Sequence, residues 1–383
     1  MRAAHLGGCL RVVVVRGGPG RGGRLSHDRI VDVGTTSRAG LFIPRQTACG
    51  TISGMTSPTP FTGLLAYPIT PLGADGLPAL GTLTRVVQDA VRAGADGVTV
   101  LASSGAGTSF APEERAAVVG AAVRAAHDAG PGPSGQHVPV HVAVAAPSTT
   151  EVVRHAVAAQ AGGAHGLVLT PFAYTPLVDA EVVALFEAVA AETDLPVCFY
   201  NRPVQNGYDV TPEVLAHLAR TTRLRGLKDP AGRTDVGARL DAVRAAVARE
   251  PFAVGLSGDL AMTEGAFTTL PASDAWHTGV AALVPEEYVV MRRAHVDRRP
   301  LDAVVERSWL LALVRELGRL RPVAGLHALA GLLGVPTGPP RGPVLATPPE
   351  QTAGLRAVLA RRPAAVPGSR VPSPADTGTG TAR

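Results

Sequence analysis

Lysine is all but missing from this chain. Lys228 is the whole count, and arginine supplies the other 35 of the 36 basic side chains. Cysteine is nearly as scarce. Cys9, Cys49 and Cys198 form no CxxC or Cys/His metal spacing and no paired framework, which suits a reducing cytoplasm. Aromatic residues are only 4% of the chain, so alanine, valine and leucine must fill most of any core. No apolar run reaches the roughly 20 residues of a membrane-spanning helix, and "RVVVVRG" is too short for a signal-peptide core.

What is present points to an ordinary folded domain with uneven ends. Hydrophobic residues make up 46% of 383, enough for one large domain or two smaller ones. The excess of Ala, Gly, Pro and Arg reads as GC-rich coding. That bias makes one retained lysine more informative. The formal charge of +5 is concentrated near the start. Residues 1–54 hold eight arginines against Asp28 and Asp32, a balance of +6, and the remainder has 28 basic against 29 acidic groups, a balance of −1. A near-neutral folded part gives no electrostatic footprint for nucleic acid.

Residues 1–54 contain "RGGPGRGGR" and no sustained period of 2 or 3.6. An over-extended start, a disordered tail and an Arg-rich, acid-poor transit peptide are the three readings, the last opposed by the prokaryotic-looking composition. The glycines are not a P-loop, since no GKS or GKT follows.

From Phe61 the chain alternates short apolar runs with longer helical ones. "TGLLAYPI", "GVTVLAS", "VPVHVAVAA", "GLVLTP", "LPVCFYN", "RGLKD", "FAVGLSGD" and "AWHTGVAALV" read as strands, separated by stretches such as "EERAAVVGAAVRAAHDA". Near-continuous apolar strands are buried on both faces. Eight of them, each followed by a helix, predict an α/β fold, a (β/α)8 TIM barrel with a C-terminal helical appendix. An open doubly wound sheet is the alternative, lowered by the absence of GxGxxG after the first strand. The expected divisions are a leader over 1–54, a barrel over 55–285, helices over 286–362 and a disordered Pro/Ser/Thr/Gly tail over 363–383.

In such a barrel the C-terminal strand ends form the active face. Lys228 ends the sixth run. An amine in an apolar wall loses hydration and its pKa falls, so it can attack a carbonyl and form an imine. Arginine stays protonated and cannot. The plainer reading, a surface lysine in a turn, does not explain why the one lysine sits here. Tyr200 ends the fifth run, where its phenol can relay protons or serve as a core ring. Ser103, Ser104, Gly105 and Gly107 in "LASSGAGTS" offer hydroxyls and backbone N–H groups as a carboxylate cradle, although Ser/Gly turns are common. Tyr174 in "TPFAYTP" points into the site or packs. Asp259 is read as a helix N-cap or a site group, and His277 as a satisfied structural histidine.

Together these stretches resemble the dihydrodipicolinate synthase / N-acetylneuraminate lyase family of class I aldolases, from about Phe61 into the 350s. The family's opening glycine, alanine and Thr-Pro appear as Gly63, Ala66, Thr70 and Pro71. Its "GTTGE" loop appears as Ala102 to Ala106, followed by "FAPEER". Its "TPYY" appears as "TPFA", its "YNxP" as Tyr200 to Pro203, and its "G[IL]K[DE]" as Gly226 to Asp229. The resemblance implies a lysine–pyruvate imine at Lys228, proton relay by Tyr200, and carboxylate binding by Ser103 and Ser104, with Gly105 and Thr70 beside them. It implies no cofactor and no metal, because the imine is the electrophile, and a homo-oligomer, dimer or tetramer.

Three departures stand out. The loop glutamate is Ala106. The second tyrosine of the lysine-pathway relay, which crosses a dimer interface in that family, is Ala173, with Tyr174 one residue on. The arginine for the aldehyde's carboxylate is Gln205, with Arg202 displaced from it. The expected activity is therefore a cytoplasmic Schiff-base lyase acting on pyruvate or a related 2-oxo acid, by C–C cleavage or formation or by dehydration. Synthesis of 4-hydroxy-tetrahydrodipicolinate is the alternative within the family, and a non-catalytic 2-oxo-acid-binding member is the alternative of another class. Nucleic acid and membrane are not expected partners. A chain beginning at Met55 is expected to keep its melting temperature and oligomeric state; a loss of several degrees by calorimetry would show that the leader packs on the domain.

Overall fold

The computed structural model describes residues 59–364; the readings for the leader, and for all but the first two residues of the tail, lie outside them. Eight parallel strands close into a barrel in sequence order, β1 (Gly63–Ala66), β2 (Gly97–Val100), β3 (Val140–Val144), β4 (Gly166–Leu169), β5 (Val197–Tyr200), β6 (Leu224–Pro230), β7 (Ala253–Ser257) and β8 (Ala275–Thr278), with β8 pairing back to β1. All eight predicted strands are present. The run "GVAALV" leaves β8 as a 3-10 turn at Val280–Ala282, because a short apolar run has no period that separates strand from helix.

The helices form where the pattern places one apolar face. In α1 (Leu80–Ala93), Leu83, Val87, Ala90 and Val91 recur at helical spacing and are buried. Gly94 ends the helix at φ 106°, a left-handed conformation that glycine adopts without strain. In α2 (Pro112–Asp128), Glu114 accepts the Ala111 N–H at 2.8 Å. In α3 (Thr149–Ala161), Ser148 caps the Glu151 N–H. The ring continues through α4 (Asp179–Glu192), the short α5 (Pro203–Asn206), α6 (Pro212–Thr221), α7 (Val236–Ala246) and α8 (Asp259–Gly265).

Two cores result from the period-2 alternation of the strands. Outward residues such as Leu64, Val98, Val142, Leu167, Phe199 and Leu227 pack under the helices. Inward residues are mostly small, with Ala143, Cys198, Ala253 and Ala275 lining the interior. Few large rings fill the space this leaves. Phe61 reaches across to Gly166 and Gly226, where a Cβ would sit 2.9 and 3.1 Å from its ring, and meets the His141 ring in a tilted contact at 4.5 Å between centroids.

α9 (Pro285–Val296) packs against α1 and β1, so it lies in the helical ring itself. α10 (Val304–Gly318), α11 (Pro322–Leu332) and α12 (Ala353–Leu359) form the helical part beyond it. The stretch after α11 returns to the segments that follow β1 and β2, where the Gly338 N–H donates to Leu72 O at 2.7 Å and Arg341 forks onto Glu114 at 2.6 and 2.8 Å.

One buried ionic clasp joins three elements around β6. Asp229 is fully buried. It accepts from Arg239 Nε at 3.1 Å and from Asn201 Nδ2 at 2.6 Å, and Arg239 also donates to Val210 O at 2.6 Å. Removing one partner of a buried pair strands the other charge, which typically costs about 3–5 kcal/mol. Asp229→Ala is expected to lose stability in that range in urea titration, and a loss below about 1 kcal/mol would show that Arg239 finds another partner.

Candidate active site

The barrel opens at the C-terminal strand ends into a cavity of about 620 Å³, within the size range of small-molecule sites. Its walls come from the loop after β2, the ends of β3 to β8, and the start of α11 at the rim.

Lys228 lies inside it at 5% exposure. In register, Lys228 pairs with Tyr200 on β5 and with Gly255 on β7. Tyr200 and Lys228 point inward, so their successors Asn201 and Asp229 point outward to the clasp. The "YN" and "KD" pairs thus each supply one group for the cavity and one for the frame. Asn201 and Asp229 fall in the "YNxP" and "G[IL]K[DE]" motifs but carry no role in the sequence reading, and Arg239 is not singled out there; their pairing joins residues 28 and 10 positions apart.

The lysine nitrogen lies against two aromatic rings, 3.7 Å from the Tyr200 ring centroid and 3.8 Å from that of Tyr67. Burial pushes the amine below its ordinary value, and Tyr200 and Cys198 only partly offset this. For the Tyr200 phenol, burial acts upward, but the charges of Lys228 and Arg202 and hydrogen bonding with Ser103 and Lys228 outweigh it, so its pKa is lowered. Burial pushes the neighbouring Cys198 thiol up to about 12, so it stays protonated.

The loop after β2 is held tightly. Leu101 and Ala106 have φ of 61° and 49°, left-handed conformations that cost side-chain-bearing residues about 1–3 kcal/mol each. Gly107 is obligatory, since a Cβ there would lie 1.8 Å from Leu101 O. Arg115, buried at 5%, donates to Gly107 O at 2.5 Å and Ala143 O at 2.9 Å, and burial lowers its pKa to about 10. Ser103 Oγ accepts from Arg202 at 2.9 Å, and Ser104 Oγ donates to Tyr67 O at 2.8 Å. Among the described residues the Ser103 and Ser104 N–H groups make no hydrogen bond.

Several expected residues are placed differently. Thr70 and Gly105 lie behind the loop rather than in the cavity wall. Thr70 Oγ1 donates to Gly105 O at 2.8 Å, and Gly105 is crowded by Pro68 O and Leu101 N. Tyr174 is fully exposed and does not line the cavity, whereas Phe172, two residues earlier, does. Arg202 and Gln205 both line it. Asp259 is the first residue of α8, not its cap. It accepts from Thr278 and from Tyr288 at 2.7 Å, and burial raises its pKa. His277 is only half satisfied, with Nδ1 2.7 Å from the Tyr67 hydroxyl and Nε2 unpartnered. Tyr67 was not singled out, because "LLAYPI" reads as plain core. Among the described residues no group of three or more His, Cys, Asp or Glu could hold a metal ion, and no helix is long and apolar enough to cross a membrane.

Residues 60–361 match the dihydrodipicolinate synthetase family. The chain belongs to that family. It is therefore one of the class I, lysine-imine lyases. It is 29% identical over 309 residues to the 4-hydroxy-tetrahydrodipicolinate synthase 2 of Streptomyces coelicolor, covering 80% of this chain and 96% of that one. It is 31% identical over 313 residues to an uncharacterized DapA-like lyase of Halobacterium salinarum, with coverage of 80% and 96%. Among solved structures, dihydrodipicolinate synthase from Agrobacterium tumefaciens superposes at a TM-score of 0.71 with 27% identity, covering 78% and 97%. YagE, a family member from E. coli K12 in complex with pyruvate, gives 0.68 with 25% identity, covering 79% and 98%.

A lysine whose pKa is depressed by folding destabilises the native state wherever the unfolded chain binds the proton more readily. The cost is full below the folded pKa and fades as pH rises through the unfolded value near 10.5. Lys228→Met is therefore expected to melt higher than wild type at neutral pH, with a margin that narrows toward pH 10.5. A margin that widens with pH would mean that the folded protein stabilises the charged amine.

Proposed function

We propose that this protein takes pyruvate or a related 2-oxo acid as an imine on Lys228 and uses that imine to make or break a C–C bond or to eliminate water. The observation that carries the reading is a buried lysine amine, without a carboxylate partner among the described residues, at the floor of the barrel-end cavity. Its lowered pKa supports a share of free amine, the form that attacks a ketone. Tyr200, beside it with a lowered pKa, is suited to carry protons between carbinolamine, imine and substrate. The unbonded N–H groups of Ser103 and Ser104, with the Arg202 guanidinium next to Ser103, favour the substrate's carboxylate there. The pyruvate complex of the E. coli relative supports the choice of ligand.

Lysine-pathway synthesis is disfavoured within this reading. A second carboxylate would meet Gln205, a neutral side chain, and Arg202 is already engaged with Ser103 and the face of Tyr200. Ala173 has no proton to relay. A homo-oligomer is favoured by exposed apolar side chains, Tyr174 and Val178 after β4 and Val204 in α5, on loops bridged by Asn206 to Pro171 O at 2.6 Å. The sparse cysteines favour the cytoplasm.

Pyruvate with borohydride is expected to add one reduced adduct, which peptide mapping places on Lys228. Intact mass gives the stoichiometry. Saturating pyruvate that leaves the Lys228 peptide unmodified would remove the imine mechanism.

A further inference from the structure

The floor of the cavity holds a pair that the proposed chemistry does not use. Tyr67 follows β1 and His277 lies in β8, each at 2% exposure, and both line the cavity. Their hydrogen bond spans 210 residues of sequence at 2.7 Å. Space for the histidine comes from Gly255, where a Cβ would lie 2.2 Å from His277 Nε2. The ring of Tyr67 lies 3.8 Å from the lysine nitrogen while its hydroxyl is bonded to His277, and the Tyr200 ring lies 3.7 Å from the same nitrogen.

An imine lyase must build a cation in this place. The amine adds to the ketone carbon, the C=O π pair passes to oxygen, and oxygen takes up protons and leaves as water. The nitrogen lone pair closes the C=N bond, so that amine, ketone and one proton give a protonated imine and one water. The Tyr67 and Tyr200 rings touch the nitrogen, and Cys198, Arg202, Asp259 and His277 are near enough to act on its charge. Asp259 is the one acid among them, and its carboxyl is occupied by Thr278 and Tyr288. The two ring faces add to the attraction that Asp259 supplies, and a desolvated cation over an aromatic face gains appreciably.

We propose that Tyr67 is a catalytic residue whose ring face, together with that of Tyr200, clamps the Lys228 nitrogen as a protonated imine, and that His277 is a positioning residue that fixes this ring through its hydroxyl. The clamp rests on the imine reading above. It explains a polar pair sealed in the barrel floor, with the hydroxyl bonded to His277.

The test grades the ring's electron density at constant shape. Tyr67→Phe is the reference, and mono-, tri- and pentafluorinated phenylalanines are placed at position 67 by non-natural incorporation. Borohydride trapping is read against pyruvate concentration and pH. The pyruvate needed for half-maximal trapping should rise stepwise with fluorination, on the order of ten- to thirtyfold across the series. The pH midpoint of trapping should fall, because a weaker ring face destabilises the ammonium of the free enzyme too. His277→Leu should weaken trapping in the wild-type chain and add little in the Tyr67→Phe background. Tyr67→Leu gives the same comparison where a fluorinated chain does not fold, as judged by melting temperature. Trapping that ignores fluorination, or that is equal in the Phe and Leu variants, overturns the clamp while leaving the imine. A wild-type protein with no adduct overturns both.

Discussion

An amine has to be dry enough to lose its proton and yet able to carry a positive charge once it has reacted. Those demands conflict, and much of the barrel is arranged around the conflict. Burial among inward-facing small residues supplies the dryness. A carboxylate beside the nitrogen would stabilise the cation, but it would also hold the resting amine protonated. Aromatic faces are the milder solution, since they attract a cation without a full opposing charge. The acidic side chain next in sequence, Asp229, is on the other side of the strand, tied to Asn201 and Arg239.

The same alternation explains how a chain with so few aromatics builds this floor. Glycines at 166, 226 and 255 remove side chains from the barrel interior, and Phe61 and His277 occupy the space. A Cβ at Gly166 or Gly255 would collide with a ring, and one at Gly226 would crowd Phe61. The small inward residues and the scarce rings therefore form one packing solution, and neither works without the other.

The strands were legible because each is a short apolar run bounded by turn residues and followed by a helical period. Lys228 was legible for a different reason, because the coding bias removed every competing lysine. Tyr67 was not. Within "LLAYPI" nothing separates a ring in the cavity from a ring in the core, and its partners come from β6 and β8 once the barrel closes. The clasp around Asp229 was hidden for the same reason. Thr70 and Tyr174 show the converse. Both fall in recognisable motifs, but one hydroxyl is used to hold a loop and the other side chain points to solvent. Motif position sets which loop a residue joins, and local backbone direction decides what it touches.

The remaining positive charges bear on why the lysine is singular. Arg202 lines the cavity, and Arg115 braces the loop that forms its wall. Even where burial lowers Arg115 to about 10, a guanidinium keeps its proton at neutral pH. Such groups can hold an anion or a backbone carbonyl in place, but they cannot give up a proton and attack carbon. In a chain whose coding favours arginine, each fixed charge has been written as arginine at no cost to that role. The position that must alternate between neutral nucleophile and cation is the one where the substitution fails, and it is there that lysine persists.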